Sequence, residues 1–316
     1  MSRTYLITGG AGNLACQLSL ELVGRGDRVV LFDIAQQPAA RVAEGCQYIR
    51  GDLTRREDLF SALKQFKPDS ILHFASLLSG SCEQDRQQAW RVNMDGTFDL
   101  FEAAVRMNVG QVLFTSTAAT YGGRLTDPLP EDFPQWPRGL YGVTKVACER
   151  LGVYYHEQHG IDFRCLRLPV VVSQFAPPGA ASAYASQAFV QAIRSRRFVF
   201  HVRPETRPSI IYIKDALRAI EDLLHAPEPR LTRRVYNIHA IAPSASELAE
   251  AITDRISDAV LTFEPDPSLI RLIESWPTTI DDAAARSDWC WQPRYDLSTL
   301  ADHFIQELRD EFTNAS

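Results

Sequence analysis

Near its N-terminus the chain carries Tyr5-Leu-Ile-Thr-Gly-Gly-Ala-Gly-Asn-Leu-Ala15, an apolar run that continues into the pattern Gly-x-x-Gly-x-x-Ala. Gly9 permits a tight turn, and Gly12 lets backbone N–H groups approach a pyrophosphate at the N-terminus of the following helix. Ala15 is small enough for that helix to pack on the strand. The stretch predicts strand, glycine turn and helix, the dinucleotide-binding start of an α/β, doubly wound parallel Rossmann sheet. Its candidate cofactor-binding residues are Gly9, Gly12, Asn13 and Leu14.

A second apolar run, Arg28-Val-Val-Leu-Phe-Asp33, ends in a carboxylate about twenty residues after the glycines. An acid at this place binds the adenosine ribose hydroxyls. Aspartate also ends strands as a turn residue, but here both position and surroundings favour ribose binding by Asp33. A carboxylate repels the 2′-phosphate of NADP, and Ile34-Ala35 supplies no arginine to receive one. The sequence therefore predicts NAD rather than NADP as the cofactor.

A tyrosine and a lysine lie four residues apart in Tyr141-Gly-Val-Thr-Lys145, at the head of an amphipathic pattern that predicts a helix. Residues four apart share a helix face. A phenol titrates near ~10 and is a poor base at neutral pH unless a nearby positive charge favours the phenolate. A surface tyrosine near a solvated lysine is the common alternative. The residues upstream favour a proton acceptor instead.

Those upstream residues are Thr115-Ser-Thr-Ala-Ala-Thr-Tyr-Gly122, which follow the apolar run Val112-Leu-Phe114. Parallel sheets place chemistry at the carboxyl ends of their strands. With the glycine turn, these motifs resemble the extended short-chain dehydrogenase/reductase family of the NAD-dependent epimerase/dehydratase type, over nearly the whole chain. The resemblance implies an enzyme in which Tyr141 is the general base and Lys145 lowers its pKa and binds the nicotinamide ribose. It also implies that Thr117 orients the substrate oxygen.

The same resemblance assigns further cofactor contacts. The family's Gly-Asp-Leu/Val segment frames the adenine, its His-x-Ala-Ala segment borders the cofactor, and its Asn-x-x-Gly-Thr asparagine braces the sheet beside the active site. A strand end in the relatives holds the nicotinamide carboxamide. The matching residues are Asp52, Leu53, Phe74, Ala75, Ser76, Asn93 and Leu168. His73, a lone histidine in an apolar strand, is predicted to be a satisfied core residue rather than a catalyst.

The helical pattern over residues 84–107 is apolar on more than one side, so it needs a second partner surface. In the family this helix pairs with the helix of residues 141–159 across a two-fold axis. The resemblance therefore implies a homodimer with a four-helix interface.

Composition excludes several other classes of protein. The formal net charge of -6 argues against a nucleic-acid or anionic-membrane surface. The six cysteines are scattered and the seven histidines lack ligand spacing, which argues against disulfides and a metal site. No apolar run approaches the ~18 residues of a membrane span, and no apolar signal segment precedes the first strand. A cytoplasmic enzyme with a small-molecule substrate is predicted.

A chain of 316 residues with 45% hydrophobic content suggests one large domain or two smaller ones. We predict an NAD-binding Rossmann domain over residues 1–168, to which the chain returns near 205–240. Residues 169–316 would form mainly a smaller, interleaved substrate-binding domain. Within it, Asp215 is predicted as the N-cap of a helix, and Ser244 with Glu247 as a capping box.

The C-terminal part resembles one branch of the family, the NAD-dependent L-threonine 3-dehydrogenases of short-chain type. That branch shares Glu-Pro-Asp, Ser-Trp-Pro-x-x-Ile-Asp-Asp and Ala-Arg-x-Asp-Trp-x-Trp with this chain, in this order. The implied reaction is oxidation of threonine at C3, giving 2-amino-3-oxobutanoate. Substrate candidates beside Thr117 and Tyr141 are Ser79, Ser182 and Trp276. The branch carries paired threonines and an aspartate in a loop where this chain has Gly179-Ala-Ala-Ser-Ala-Tyr184, so a different small hydroxy acid is an alternative.

Two other functions stay open at this point. A nucleotide-sugar 4-epimerase or dehydratase with tightly bound NAD shares the same base, lysine and threonine. A non-catalytic dinucleotide sensor would bind NAD without reaction, but the complete set of Thr117, Tyr141 and Lys145 argues against it.

Overall fold

The computed structural model describes residues 2–38, 42–175 and 180–314 of the chain. In this part, a central sheet of seven parallel strands lies in the order β10-β6-β5-β4-β1-β2-β3. The strands are β1 (Thr4–Thr8), β2 (Arg28–Asp33), β3 (Gln47–Arg50), β4 (Ser70–His73), β5 (Gln111–Thr117), β6 (Asp162–Leu168) and β10 (Val235–Asn237). The predicted doubly wound α/β fold is confirmed.

The first strand lies at the middle of this sheet because its sequence is suited to burial on both faces. Every residue of β1 is buried, whereas the edge strand β3 is exposed or half-buried along its length. Buried parallel strands carry continuous apolar runs for this reason. The order of the strands reverses between β1 and β4, so a crevice opens at their carboxyl ends.

Helices cover both faces of the sheet. They are α1 (Asn13–Gly24), α2 (Arg56–Phe66), α3 (Ser79–Gln84), α4 (Arg86–Trp90), α5 (Gly96–Arg106), α6 (Leu140–His159) and α8 (Ile213–His225). Two apolar clusters of buried side chains result, one on each side of the central strands. None of the helices in the described ranges is long and apolar enough to cross a membrane.

Most of the remaining elements form a smaller body beside the carboxyl ends of the sheet. Two parallel pairs of strands are present, β7 (Val170–Val172) with β9 (Ile210–Tyr212), and β8 (Arg197–Phe200) with β11 (Val260–Phe263). The other helices are α7 (Tyr184–Arg194), α9 (Ala245–Thr253), α10 (Pro267–Ile273), α11 (Ala283–Trp289) and α12 (Leu297–Asn314). Because β10 returns to the large sheet from within this region, the two parts are interleaved. The exact domain boundary near residue 168 stays a prediction.

The predicted continuous helix over residues 84–107 is interrupted. A π-helical turn, Arg91–Asp95, separates α4 from α5. In this turn the Asn93 carbonyl accepts hydrogen bonds from the Thr97 hydroxyl at 2.6 Å and the Cys148 thiol at 3.1 Å. Such turns are common at functional sites, and here the turn sets the position of Asn93.

Of the two predicted caps, only one is present as predicted. Ser244 and Glu247 form the capping box of α9. Asp215 is not an N-cap, because α8 already begins at Ile213 and Asp215 lies inside its first turn. Its buried carboxylate instead accepts hydrogen bonds from the backbone N–H groups of Arg294 and Tyr295, so it fastens the C-terminal segment to α8.

Candidate active site

A cavity of about 600 Å³ occupies the crevice at the carboxyl ends of the strands. It extends from the glycine turn after β1, past the ends of β2, β4 and β5, to the segment that follows β6. The predicted site residues that line it are Gly9, Gly12, Asn13, Leu14, Asp33, Asp52, Leu53, Phe74, Ala75, Ser76, Ser79, Thr117, Tyr141, Lys145, Leu168, Ser182 and Trp276. Gly9 and Trp276, at opposite ends of the sequence, thus line the same cavity.

The glycine turn fits its predicted role. Gly9 has φ +71°, and a Cβ built there would lie 2.8 Å from the Ala75 backbone nitrogen. A side chain at this position would therefore be strained and would clash. Gly12 is the N-cap of α1 in an extended conformation, with no side-chain cap on the helix. The first N–H groups of α1 are thus left for an anion at the helix N-terminus.

The carboxylate of Asp33 is held in place at the end of β2. It accepts hydrogen bonds from the backbone N–H groups of Ala11 at 3.0 Å and Ala35 at 2.9 Å. Further along the wall, Asp52 accepts from both the backbone N–H and the hydroxyl of Thr54. The fixed Asp33 carboxylate faces the same cavity as the glycine turn, as a ribose ligand would.

The first turn of α6 brings Tyr141 to the end of β5. Gly142 makes this approach possible, because a Cβ there would come 2.2 Å from the carbonyl oxygen of Ala119. One turn further, Lys145 is almost fully buried, and its Nζ donates a 2.8 Å hydrogen bond to the Thr115 carbonyl. This Nζ lies 5.6 Å from the centre of the Tyr141 ring and 4.4 Å from that of Phe114.

Tyr141, Thr117 and Ser76 form one polar cluster. The hydroxyls of Ser76 and Thr117 line the cavity with the Tyr141 phenol and lower its pKa. Burial acts in the opposite direction and is the larger effect, so the pKa of Tyr141 lies above its ordinary value. Burial also lowers the pKa of Lys145, to about 8. The effects on the Tyr141 pKa in the protein without cofactor come from burial, Cys82 and the two hydroxyls, so a lowering by Lys145 stays a prediction.

Comparisons with known proteins agree with this geometry. Residues 5–238 match the model of the NAD dependent epimerase/dehydratase family. The chain belongs to that family. It is 34% identical to the mitochondrial L-threonine 3-dehydrogenase of Bos taurus over 93% of this chain and 80% of the relative.

Solved structures show the same relationship. The L-threonine dehydrogenase of Clostridium difficile superposes with a TM-score of 0.92 at 30% identity, covering 98% of each chain. A monomeric L-threonine 3-dehydrogenase from a metagenome database gives 0.91 at 28%, covering 97% of this chain and 99% of that one. The chain is thus an NAD-dependent oxidoreductase of the extended short-chain dehydrogenase/reductase type.

The residues of this epimerase/dehydratase family member fit NAD(H), which the family implies. A Cβ at Gly9 would clash with the backbone of Phe74 and Ala75, so only glycine allows the close turn beside the N-terminus of α1, and the Asp33 carboxylate is fixed on the cavity wall. Tyr141, Lys145 and Leu168 lie at the other end of the wall, at the ends of β5 and β6. The described residues contain no group of three or more His, Cys, Asp or Glu side chains that could hold a metal.

His73 is a satisfied core residue, as predicted. Its ring is fully buried, with Nδ1 2.7 Å from the Thr8 hydroxyl and Nε2 2.9 Å from the Thr97 hydroxyl. Burial lowers the pKa of His73 to about 3. The neutral ring joins β1, β4 and α5 behind the cavity.

The assignment of Asn93 as a cofactor ligand is wrong. Asn93 does not line the cavity formed by the described residues. Its side chain is buried behind the wall, where Oδ1 accepts from the Leu77 N–H at 2.8 Å and Nδ2 donates to the Leu77 carbonyl at 3.1 Å. Nδ2 also lies 3.2 Å from the Thr144 hydroxyl. Asn93 therefore holds the segment after β4 against α6.

Sequence patterns missed several lining residues on irregular segments. Leu77 and Leu78 follow β4, and Ser173 and Phe175 follow β7. The Ser173 hydroxyl accepts a 2.9 Å hydrogen bond from Asn13 Nδ2, across 160 residues of sequence. Short-range spacing carries no signal for such a contact.

Proposed function

We propose that the chain oxidises the 3-hydroxyl of a small 3-hydroxy acid, with L-threonine as the first candidate, to the 3-oxo product. For threonine this product is 2-amino-3-oxobutanoate. The observation that carries the proposal is the cluster of Tyr141, Thr117 and Ser76 at one end of a cavity whose other end holds Asp33. The similarity to the bovine L-threonine 3-dehydrogenase and to the two solved threonine dehydrogenases supports the substrate.

In this proposal Thr117 and Ser76 hold the substrate hydroxyl against Tyr141, whose phenolate oxygen takes the proton from it. Buried Lys145 supplies a positive charge one helical turn away, which favours the phenolate. The cavity would hold NAD, which would supply the acceptor for the hydride of the carbon that bears this hydroxyl, and whose charged nicotinamide ring would add to the positive potential. We further propose that the cofactor is NAD rather than NADP, because Asp33 faces the ribose end of the cavity.

Ser182 and Trp276 lie on the cavity wall, where they would contact the rest of the substrate. The sequence Pro177-Pro-Gly179 that precedes Ala180 lies outside the described residues. Where the threonine dehydrogenase branch has Gly-Gly-Thr-Thr-Asp, this chain has Ala180-Ala-Ser-Ala183, which is one residue shorter and lacks the paired threonines and the aspartate. The proposal therefore covers small 3-hydroxy acids as a class, and includes 3-hydroxybutanoate beside threonine.

The fate of the hydride tests this function. Absorbance near 340 nm should rise when the enzyme is mixed with NAD and L-threonine or another small 3-hydroxy acid, because a dehydrogenase releases NADH.

A Ser182→Ala variant, which removes the hydroxyl left in the altered loop, should raise KM more than it lowers kcat if Ser182 contacts substrate.

The rival function gives the opposite result. A nucleotide-sugar 4-epimerase returns the hydride to its own intermediate, so sugar is converted with no net change in cofactor. If a panel of small hydroxy acids gives no NADH while a nucleotide sugar is epimerised, the dehydrogenase proposal is wrong.

We also propose that two copies of the chain associate through the helices at residues 84–107 and 141–159. Four large apolar side chains, Trp90, Phe98, Val143 and Tyr154, are 43–51% exposed on α4, α5 and α6. The helices α5 and α6 pack against each other, so these side chains lie on neighbouring elements. A two-fold axis would place the helix of residues 84–107 against the helix of residues 141–159 of the other copy, and each copy would bury the same apolar surface.

Sedimentation velocity at micromolar concentration is expected to give a particle of about twice 35.5 kDa. Phe98→Glu should reduce it to the monomer mass, since a carboxylate would be buried without a partner. Leu20→Glu, at a side chain 41% exposed on α1, is the matched control and should leave the dimer intact. A wild-type protein that sediments at 35.5 kDa would contradict the dimer.

A further inference from the structure

A buried glutamate lies on the catalytic face of α6. Glu149 follows Tyr141 by eight residues and Lys145 by four, so the three side chains share one face of the helix. Glu149 is fully buried. A fully buried carboxylate is rare unless it is paired, so its partners identify what it does.

Its partners come from both strands that border the active site. The Ser116 hydroxyl of β5 donates to Glu149 Oε1 at 2.5 Å. Arg167 of β6 donates from Nε to Oε1 at 3.0 Å and from Nη2 to Oε2 at 2.7 Å. Gln135 Nε2, from the segment before α6, donates to Oε2 at 2.9 Å. One carboxylate thus joins β5, α6 and β6.

Each of these partners is next to a residue of the site. Ser116 lines the cavity and directly precedes Thr117. Arg167 directly precedes Leu168, which lines the same cavity. A shift of Glu149 would therefore move the ends of both strands relative to Tyr141.

Arg167 is itself held from the far side. Its Nη1 donates to the Tyr121 hydroxyl at 2.6 Å and lies 3.3 Å from Asn237 Oδ1. The Tyr121 hydroxyl in turn donates to Asn237 Oδ1 at 2.9 Å. The network extends to β10, so Arg167 has one defined orientation from which to pair with both oxygens of Glu149.

Stability alone is a weak explanation for such a pair. Removing two charges from water is costly, and buried ion pairs are often replaced by apolar side chains without loss of stability. A rigid bidentate pair does, however, fix the geometry of the elements that it joins. We propose that Glu149, held by Arg167 and Ser116, is a positioning residue that sets Tyr141 and Lys145 of α6 against Thr117 of β5 for hydride transfer.

Glu149 also acts on the charge of Lys145. Burial lowers the pKa of Lys145 to about 8, and the Glu149 carboxylate is one of the groups that raise it. The other titratable groups facing Lys145 are Tyr141 on the same helix, whose pKa burial raises, the thiols of Cys148 on α6, Cys165 on β6 and Cys82 on α3, and the ring of His73 on β4. Burial raises the pKa of all three thiols and lowers that of His73, so these groups are neutral near pH 7. Among the groups that raise the Lys145 pKa, Glu149 is the one that carries a charge near pH 7, so it favours the protonated lysine.

The variant Glu149→Gln tests the inference, which rests on the proposed dehydrogenase activity. The change should lower kcat about fivefold while the NADH dissociation constant at pH 7 stays within about twofold. The pH at which Lys145 loses its proton should fall by about half a unit or more, and the alkaline limb of the kcat profile with it. The same shift should appear in the pH dependence of NADH binding followed by fluorescence, which needs no substrate.

Asp162→Asn is the matched control. It makes the same change of carboxylate to amide in another ion pair with an arginine of β6. Asp162 begins β6 at the end away from the site, where Arg164 donates to it at 2.7 Å. This variant should keep kcat and both pH profiles within error of wild type, whatever its melting temperature.

If Glu149→Gln melts earlier but keeps kcat and both pH profiles, its role is only structural and the inference is wrong. If Glu149→Gln does not fold, Ser116→Ala becomes the test, and a kcat equal to wild type would overturn the inference. If the wild-type enzyme releases no NADH from any hydroxy acid, the proposed function fails, and the NADH-binding profile still decides whether Glu149 acts on Lys145.

Discussion

The variant Tyr141→Phe is expected to lower kcat by about 10²- to 10⁴-fold and to leave NAD affinity nearly unchanged. The loss is large because the phenol oxygen is the proton acceptor of the proposed reaction, and phenylalanine removes only that oxygen. The ring remains on the first turn of α6, where Gly142 and Ala119 hold the helix against β5. Steady-state NADH release and NAD titration measure the two effects separately.

A second tyrosine of the same helix provides the control. Tyr155 is buried, and its hydroxyl donates to Glu102 at 2.6 Å, away from the cavity lined by the described residues. Tyr155→Phe therefore removes a buried phenol oxygen without touching the site, and should cost stability but not kcat. If Tyr141→Phe keeps kcat within tenfold of wild type, Tyr141 is not the general base.

Features set by local spacing were predictable from the sequence. The glycine turn, the carboxylate that ends β2 and the tyrosine-lysine pair each depend on a few adjacent residues. Backbone sterics, strand length and helix periodicity fix their local geometry. Because the carboxyl ends of parallel strands meet at one edge, these separate motifs converge on a single cavity.

Features set by tertiary packing were not predictable in the same way. Asn93 occupies the expected helical segment, but the π-helical turn directs its amide toward Leu77, behind the cavity wall. Asp215 is an ordinary cap residue in sequence, yet α8 begins two residues earlier and buries its carboxylate. In both cases helix spacing identifies the element but not the neighbours of its side chains.

The burial of the charged side chain of Glu149 was likewise not predictable from the sequence. A glutamate in an amphipathic helix predicts a solvated side chain, and nothing within four residues signals burial. Its partner Arg167 lies 18 residues further along the chain, in strand β6. Only the packing of α6 on the sheet brings the two charges together.

The preference for NAD over NADP should depend on one carboxylate, that of Asp33. We expect NAD to bind at least about tenfold more tightly than NADP, which corresponds to ~1.4 kcal/mol. The Asp33 carboxylate is fixed by the N–H groups of Ala11 and Ala35 on the cavity wall. It would accept hydrogen bonds from the ribose hydroxyls of NAD, but in NADP it would face a 2′-phosphate carrying about -1.5 to -2 charges.

Asp33→Ser should narrow this preference, because it removes the repulsion and leaves room for the phosphate. Arg50 of β3 lies opposite Asp33 of β2 in the strand register, and its Nε donates to the Ile34 carbonyl at 3.1 Å. Once the carboxylate is gone, this exposed guanidinium, on the strand position beside residue 33, should favour the phosphate. Asp52→Asn, at another carboxylate of the cavity wall, is the control and should keep the preference for NAD. Equal affinities of the wild-type enzyme for NAD and NADP in binding titrations would show that Asp33 does not select the cofactor.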